Sequence, residues 1–218
     1  AHFEISLTSG SGFTSQLVLN QTGGTVDQTT IYVHFKPTTT GNFNGSLIAN
    51  LSANATTVNV TADGIGIAVE PTIQASVVNF TDVQTAQFTI NWTIGNGSNR
   101  LVLIKQGSPV DANPQDQSSY TADPVFGNGA QLGTGNYVVY NGTGNSVTVT
   151  GLTSNTIYNV AVFEFNGSGE FVNYLINTPA TGTQTTVEII PILTEVFLPQ
   201  YIQGLNGTNG TRVPFAYL

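Results

Sequence analysis

Few side chains in this sequence could perform acid–base or nucleophilic chemistry. Nucleophilic catalysis needs a nucleophile and a base, most often a histidine that a third group holds in place. The chain has two histidines and no cysteine. His2 is the second residue, and we expect His34 on the solvent face of a strand. The sequence therefore indicates neither a catalytic triad nor a structural zinc site.

Two glutamates could form the carboxylate pair of a glycoside hydrolase. Glu164 falls on the core-facing side of a predicted strand, close to its end, and Glu170 lies in the turn that follows. We expect a strand-end charge and a solvated turn residue, because no deep cleft is predicted beside them. The Gly-rich turns lack the helix and the lysine of a phosphate-binding loop. The sequence thus predicts no catalytic residue, no cofactor and no enzyme.

Three aspartates, Asp111, Asp116 and Asp123, lie in one long polar segment. Oxygen-rich loops can bind calcium, so these residues are candidate ligands. Their spacing does not match the Asp-x-Asp-x-Asp-Gly pattern of a calcium loop. No metal site is therefore assigned.

Tyrosines are the remaining candidates for ligand binding. Tyr120, Tyr137, Tyr140 and Tyr174 could stack on sugar rings if their faces are exposed. Tyrosine at strand edges also serves structural packing. Tyr120, Tyr137 and Tyr140 remain as candidate glycan-binding residues, with the structural role as the alternative.

Composition and charge exclude several classes of partner. Only 7% of the 218 residues are charged, against about a quarter in typical proteins, and Thr, Asn, Gly and Ser replace them. The formal net charge is −8, and the four cations are scattered, which argues against nucleic acid and anionic membranes as partners. No apolar run reaches the roughly 18 residues that span a bilayer. A surface of this kind is typical of bacterial exported proteins. No signal sequence is recognisable in the chain, so an exported protein would be represented here by a processed or partial piece.

Period-two alternation locates the most informative strand. Between residues 87 and 94, apolar and polar side chains alternate, which indicates a half-buried β-strand. The single Trp of the chain lies on this strand, and we expect it to fill the middle of a sandwich. The predicted core consists of Phe88, Ile90, Trp92, Leu152, Tyr158 and Val160.

A Trp on an early strand and a Leu-x5-Tyr turn before a late strand are the features of a fibronectin type III module, and residues 71–186 resemble one. The resemblance implies a two-sheet β-sandwich without catalytic residues. Residues 107–145 form a connection longer than such modules usually have, and long loops are often functional or folded against the body. We expect Val125, Phe126 and Tyr137 in this connection to cover Ala161, Phe163 and Phe165, which would otherwise face water.

Residues 1–66 read as strands at 2–8, 15–20, 29–36, 45–51 and 56–63. They resemble the later half of Ig-like modules in large surface proteins of Bacteroidota, and Ile31, Val33 and Phe35 should face the core. An Ig-like sandwich normally has about seven strands. Either the chain begins inside a domain, or a neighbouring chain adds a strand to the open edge.

The sequence thus predicts an all-β protein of tandem antiparallel β-sandwiches. A linker at 67–70 joins the two modules, and 187–218 would open a further β domain or exchange a strand. We expect a spacer, adhesin stalk or fibre subunit of an exported or cell-surface bacterial protein. Its partners would be other domains, copies of itself or surface glycans. The alternative is an accessory module of a secreted hydrolase, such as a carbohydrate-binding module.

Overall fold

The protein is built almost entirely from short antiparallel strands. A computed structural model describes residues 2–51 and 56–191, and the predicted start of a further domain after residue 191 lies outside these ranges. The described residues contain no α-helix and one 3-10 turn, Gly169–Phe171. No helix in these ranges is long and apolar enough to cross a membrane. The predicted fold class, all-β with antiparallel sheets, is confirmed.

Residues 2–66 contain six strands that pair two by two. They are β1 (Phe3–Ser6), β2 (Tyr32–Phe35), β3 (Gly41–Asn42), β4 (Ser46–Ala49), β5 (Asn59–Ala62) and β6 (Ile65–Gly66). β1 pairs with β2, β3 with β6 and β4 with β5. The strand predicted at 15–20 does not form. No described strand lies alongside this segment to take up its backbone hydrogen bonds, and Val18 is 77% exposed.

The expected core face of this part is also wrong. Ile31 and Val33 are 41% and 48% exposed, because no second sheet among the described residues packs over them. Phe35 is half-buried against the rings of Phe3 and Phe43, at centroid distances of 4.8 and 5.7 Å. The alternation of apolar and polar residues therefore predicted a strand where β2 forms, but it did not show whether another sheet would pack over the apolar face of that strand.

Residues 71–186 form a sandwich of two sheets. Its strands are β7 (Ser76–Thr81), β8 (Gln87–Thr93), β9 (Asn99–Gln106), β10 (Gln131–Leu132), β11 (Asn136–Gly142), β12 (Ser146–Thr150), β13 (Ile157–Asn166), β14 (Asn173–Tyr174) and β15 (Ala180–Thr185). One sheet has the order β12-β8-β7, and the other has β11-β9-β13-β15 with β10 and β14 as short additions. Of the seven main strands, β7, β8 and β12 thus form one sheet and face β9, β11, β13 and β15 in the other. This is the strand arrangement of a fibronectin type III module.

The core between the two sheets contains the side chains that the sequence placed there. Phe88, Ile90, Trp92, Leu152, Tyr158 and Val160 are all at most 6% exposed. The Trp92 ring meets Tyr140 edge to face at 5.2 Å. Its Nε1 is buried and has no hydrogen-bond partner among the described residues. The indole is therefore held by packing alone.

A second apolar core lies on the outer face of β9 and β13. There Leu101, Ala161, Phe163 and Phe165 are buried beneath the chain between β9 and β11, which we call the insertion (residues 107–135). Leu132, Val138, Val172 and Tyr174 complete this core, with Val110, Ala112, Tyr120, Ala122 and Ala130 at its margin. The insertion is thus part of the fold.

The residues expected to cover this face were assigned wrongly. Phe126 and Tyr137 pack against the core between the sheets, with centroid distances of 5.2 Å from Phe126 to both Tyr137 and Tyr158. Val125 is 38% exposed. Tyr137 lies on β11, whose pairing with β9 fixes the side of the sheet it faces.

The outer face of the β12-β8-β7 sheet presents rows of uncharged polar side chains. Strand register aligns two rows of side chains across it: Thr148, Thr89 and Thr81 in one, Ser146, Asn91 and Asn79 in the other. The hydroxyls of Thr89 and Thr148 are 2.9 Å apart. The module therefore has one outer sheet face covered by its insertion and one that is bare and neutral.

Candidate functional site at the linker end of the sandwich

A buried ion pair closes one end of the sandwich. The Glu164 carboxylate accepts hydrogen bonds from Arg100 Nε at 2.9 Å and from the backbone N–H groups of Gly95 and Gly97 at 2.8 and 2.9 Å. Arg100 also donates to the carbonyls of Thr143 (3.0 Å) and Gly97 (2.8 Å). The side chains are 5% and 0% exposed. Glu164 is therefore a charge near the end of its strand on the core-facing side, as expected, and it is fully buried in an ion pair that the sequence analysis did not predict.

The sequence did contain a signal for this pair. Arg100 and Glu164 lie directly opposite each other in the register of β9 and β13. Each interrupts an otherwise apolar series on the core-facing side of its strand. Two opposite charges on such positions indicate a buried pair, because a single buried charge would be costly. The pair fixes backbone around it and leaves no free carboxylate for acid–base catalysis.

The same end of the sandwich holds the linker. The N–H of Ala68 donates to the carbonyl of Phe171 at 2.8 Å, in the turn between β13 and β14. Asn173 Nδ2 donates to the carbonyl of Ala68, and Asn166 Nδ2 to that of Val69, both at 2.8 Å. Both carboxamides thus bind linker backbone, which has no other regular structure. Sequence spacing gave no sign of these contacts, because they join residues about a hundred positions apart.

Two further contacts tighten this junction. Gly167 has φ of +83°, and a Cβ atom there would lie 2.9 Å from the Ala68 Cβ and 2.4 Å from the Phe171 carbonyl oxygen. Only glycine fits such a position without displacing the linker. On the other side of the junction, Asn42 Nδ2 donates to Glu170 Oε1 at 2.6 Å. Glu170 is exposed, as expected, and does not face Glu164 as a second carboxylate.

The three candidate calcium ligands are engaged separately. Asp111 accepts from Lys105 Nζ at 2.6 Å and from Asn136 Nδ2 at 2.9 Å, and these hydrogen bonds hold its pKa below the ordinary value. Asp116 accepts from the backbone N–H of Tyr174 (2.8 Å). Asp123 accepts from the N–H of Val125, also at 2.8 Å. In the described ranges, no three carboxylate or histidine side chains gather as a metal site.

The candidate tyrosines are used for packing. Tyr137 and Tyr140 are half-buried against Phe126 and Trp92, respectively. The Tyr120 hydroxyl accepts from the backbone N–H of Gln115 at 3.0 Å. These contacts give each tyrosine a structural role and leave none as an open stacking platform.

Tyr174 is almost completely buried and lies in the second core. Its hydroxyl donates to the Ser118 carbonyl at 3.0 Å. Burial raises the pKa of Tyr174, and the nearby Tyr120 and Asp116 raise it further. The ring is therefore not available to stack on a sugar from solution.

The two histidines contact a carboxylate and an aromatic ring within the described part of the chain. His34 Nδ1 lies 3.6 Å from Glu4 Oε2, and the side chain is 46% exposed. The His2 ring stacks on Phe43 at 3.9 Å. Neither is within hydrogen-bond distance of a serine or threonine hydroxyl among the described contacts.

A small cleft of about 140 Å³ lies between the insertion and the turn after β13. It is lined by Asn99, Ser119, Asn141 and Ser168, with the aromatic residues Phe165 and Tyr174 and two glycines of the turn. None of the lining residues is charged. Of these residues the sequence analysis singled out only Phe165 and Tyr174, and neither as part of a cleft, because the lining comes from segments that are far apart in sequence.

Comparison with known proteins gives structural neighbours only. No protein-family model matches the sequence, and comparison with curated proteins gives no match. A redesigned β-sandwich protein is 18% identical, with a TM-score of 0.37 over 57% of this chain and 96% of its own. A human fibronectin type III domain, from the KIAA0970 protein, is 16% identical, with a TM-score of 0.34 over 63% of this chain and 85% of its own.

Domains d3–d4 of the rat CD45 extracellular region are 10% identical, with a TM-score of 0.33 over 85% of this chain and 95% of theirs. These scores are all low, so the fold assignment rests on strand order and packing. Sandwiches of this architecture occur in many cell-surface domains. Residues 71–186 have the fold of a fibronectin type III module, and the fold alone does not specify an activity.

Proposed function

We propose that this chain is a non-catalytic spacer segment of an exported or cell-surface bacterial protein, in which the second module holds the first at a fixed angle. The observation that carries this proposal is the capture of the linker by the turn after β13. Three hydrogen bonds of 2.8 Å to Ala68 and Val69 leave these two residues little freedom.

The energetics favour a stiff junction. A hydrogen bond contributes about 1 kcal/mol net, so three on two consecutive residues outweigh much of the conformational entropy of that short stretch. Pro71 follows the linker and is buried, which restricts its backbone further. A spacer needs this property, because a freely jointed link would not transmit orientation between modules.

The surface supports a role outside the cell. Polar side chains without charge cover the bare sheet face, and the chain has no cysteine. Within this proposal, the partners are neighbouring modules of the same polypeptide or other copies of it. Adhesion or fibre formation would follow from the parent protein rather than from a reaction centre in this chain.

Distance measurements between two spin labels test the stiffness directly. The chain has no cysteine, so Thr61→Cys on β5 and Thr148→Cys on β12 provide unique label sites, both exposed. We expect a narrow distance distribution in the otherwise unchanged protein. The double substitution Asn166→Ala/Asn173→Ala should broaden it clearly.

The matched control is Asn128→Ala, which removes an exposed carboxamide far along the chain from the linker. It should leave the distribution narrow. A broad distribution before any asparagine is changed would show a flexible joint and would overturn the spacer proposal.

A further inference from the structure

We propose that the cleft between the insertion and the turn after β13 binds a single neutral sugar residue. The turn after β13 both lines the cleft and contacts the linker, but this inference does not depend on the spacer function, because a sugar could bind whether or not the linker is stiff. Neither the strand order nor the predicted ligand-binding tyrosines pointed to it. It rests on the shape, lining and rigidity of the cleft.

The lining offers hydrogen-bond donors and acceptors in close mixture. Asn99 Nδ2 donates to Ser98 Oγ at 3.0 Å, and Asn141 Nδ2 donates to the Tyr120 carbonyl at 3.0 Å. In the described part of the chain, neither carboxamide oxygen receives a hydrogen bond, and each –NH2 group has a second hydrogen. Sugar hydroxyls both donate and accept hydrogen bonds, so they match this lining better than ligand groups that can only donate or only accept.

The charges around the cleft select against ions. Its lining residues are neutral, and the nearest carboxylates, Glu170 and Asp116, are hydrogen-bonded to Asn42 and to the Tyr174 backbone. With a net charge of −8, the protein repels anionic ligands at long range. A cation would find no free carboxylate among the lining residues. A neutral ligand is therefore favoured.

The volume sets the size of the ligand. About 140 Å³ corresponds to between four and five water molecules at roughly 30 Å³ each. Clefts for drug-sized ligands measure about 300–1,000 Å³. A hexose is larger than this, so only one edge of a single ring can enter, with the rest of the sugar outside. Phe165 and Tyr174 border the cleft but are only 5% and 2% exposed, so the contact with the sugar depends on the hydrogen-bonding groups of the lining.

The cleft is already held in shape. Ser119 Oγ donates to the Gly169 carbonyl at 3.2 Å and so joins the insertion to the opposite wall. Beneath it, the Tyr174 hydroxyl is fixed to the Ser118 carbonyl. A ligand would thus bind without ordering a mobile loop, which removes one of the main costs of binding.

Two-dimensional NMR of the whole 15N-labelled chain tests the proposal. The probes are glucose, galactose, mannose, N-acetylglucosamine and, as a charged comparison, glucuronate. We expect at least one neutral sugar to shift the Gly167 and Gly169 amides and the Asn99 and Asn141 side-chain signals in a saturable way. The affinity should be weak, because the contact is small, and glucuronate should bind more weakly still, because the protein is negatively charged.

Ser168→Phe is the decisive variant, because residue 168 is exposed and a ring there would occupy the cleft without disturbing a core. It should abolish the shifts, whereas Ser146→Phe on the bare sheet face should preserve them. Trp92 fluorescence confirms that both variants fold. The proposal is overturned if no sugar gives saturable shifts, if the shifts lie elsewhere, or if they survive in Ser168→Phe.

Discussion

Arg100 and Glu164 face each other across β9 and β13 with 2.9 Å between Nε and Oε1, inside the sandwich. Together they bind the turn before β9 through Gly95 and Gly97 and the loop before β12 through Thr143. One ion pair therefore ties both sheets at the end that receives the linker. The ion pair stabilises the fold because it provides hydrogen-bond partners for backbone groups that would otherwise be unpaired.

Removing one partner of this pair should be strongly destabilising. Glu164→Ala would leave a buried guanidinium without its counter-charge and two backbone donors without an acceptor, and we expect a loss of about 3–5 kcal/mol in the free energy of unfolding. Glu164→Gln keeps one acceptor oxygen and should cost less. Urea unfolding followed by Trp92 fluorescence measures both.

The exposed Glu170→Ala is the matched control and should cost under about 1 kcal/mol, even though it loses the contact to Asn42. An equal effect of the two alanine variants would contradict this account.

Trp92 should be shielded from solvent in the native state. Its side chain is 3% exposed and packs against Tyr140. Because it is the single Trp of the chain, emission reports this site alone. We expect a blue-shifted native spectrum and acrylamide quenching several-fold weaker than in the urea-unfolded chain. Similar quenching in the two states would mean that water reaches the middle of the sandwich.

The insertion should resist proteolysis because it carries a core of its own. We expect protease to leave residues 107–130 of the native protein intact. Leu132→Ala should expose them, since deleting a buried leucine costs about 2–5 kcal/mol. Val125→Ala, at a position 38% exposed, is the control and should leave the cleavage pattern unchanged. Rapid cutting within 107–130 of the unaltered protein would show that the second core does not persist in solution.

Alkaline pH should weaken the second core through Tyr174. Burial raises the pKa of this phenol, so the folded state retains a proton that the unfolded state loses above about pH 10. The contribution of the protonated Tyr174 to the free energy of unfolding is complete below that pH. It declines as the pH rises, by up to about 1.4 kcal/mol per pH unit. When urea unfolding is measured across this pH range, the free energy of unfolding should depend less on pH in Tyr174→Phe than in the unaltered protein. Parallel curves for the two proteins would contradict the assignment.

Local pattern was enough to predict the sandwich core. Along β8, alternation identifies Phe88, Ile90 and Trp92 as pointing inward, whereas Ile94, the next residue of that series, lies past the end of the strand and is 49% exposed. Leu152 and Tyr158 follow from the spacing of the turn before β13. These features depend on neighbours in sequence, so they could be read from the chain directly.

The second core and the linker contacts could not be predicted in this way. Which residues cover Phe163 depends on how the insertion returns across the sheet, and the tyrosine chosen from sequence lies on β11, facing the opposite side. The contact of Asn166 with Val69 joins distant segments through a side chain that looks like any other surface asparagine. In residues 2–66, alternation at Ile31 and Val33 was real, but the burial it implied needs a second sheet that the described residues do not provide.

Because the insertion covers β9 and β13, the two outer faces of the second module differ in what can contact them. Another molecule that approaches it flat against a sheet can do so over the Thr81, Thr89 and Thr148 row but not over the opposite flank. Since that open flank bears no ionic group, such lateral encounters should respond little to salt. A molecule that packs flat against this module would therefore do so through that flank at any ionic strength.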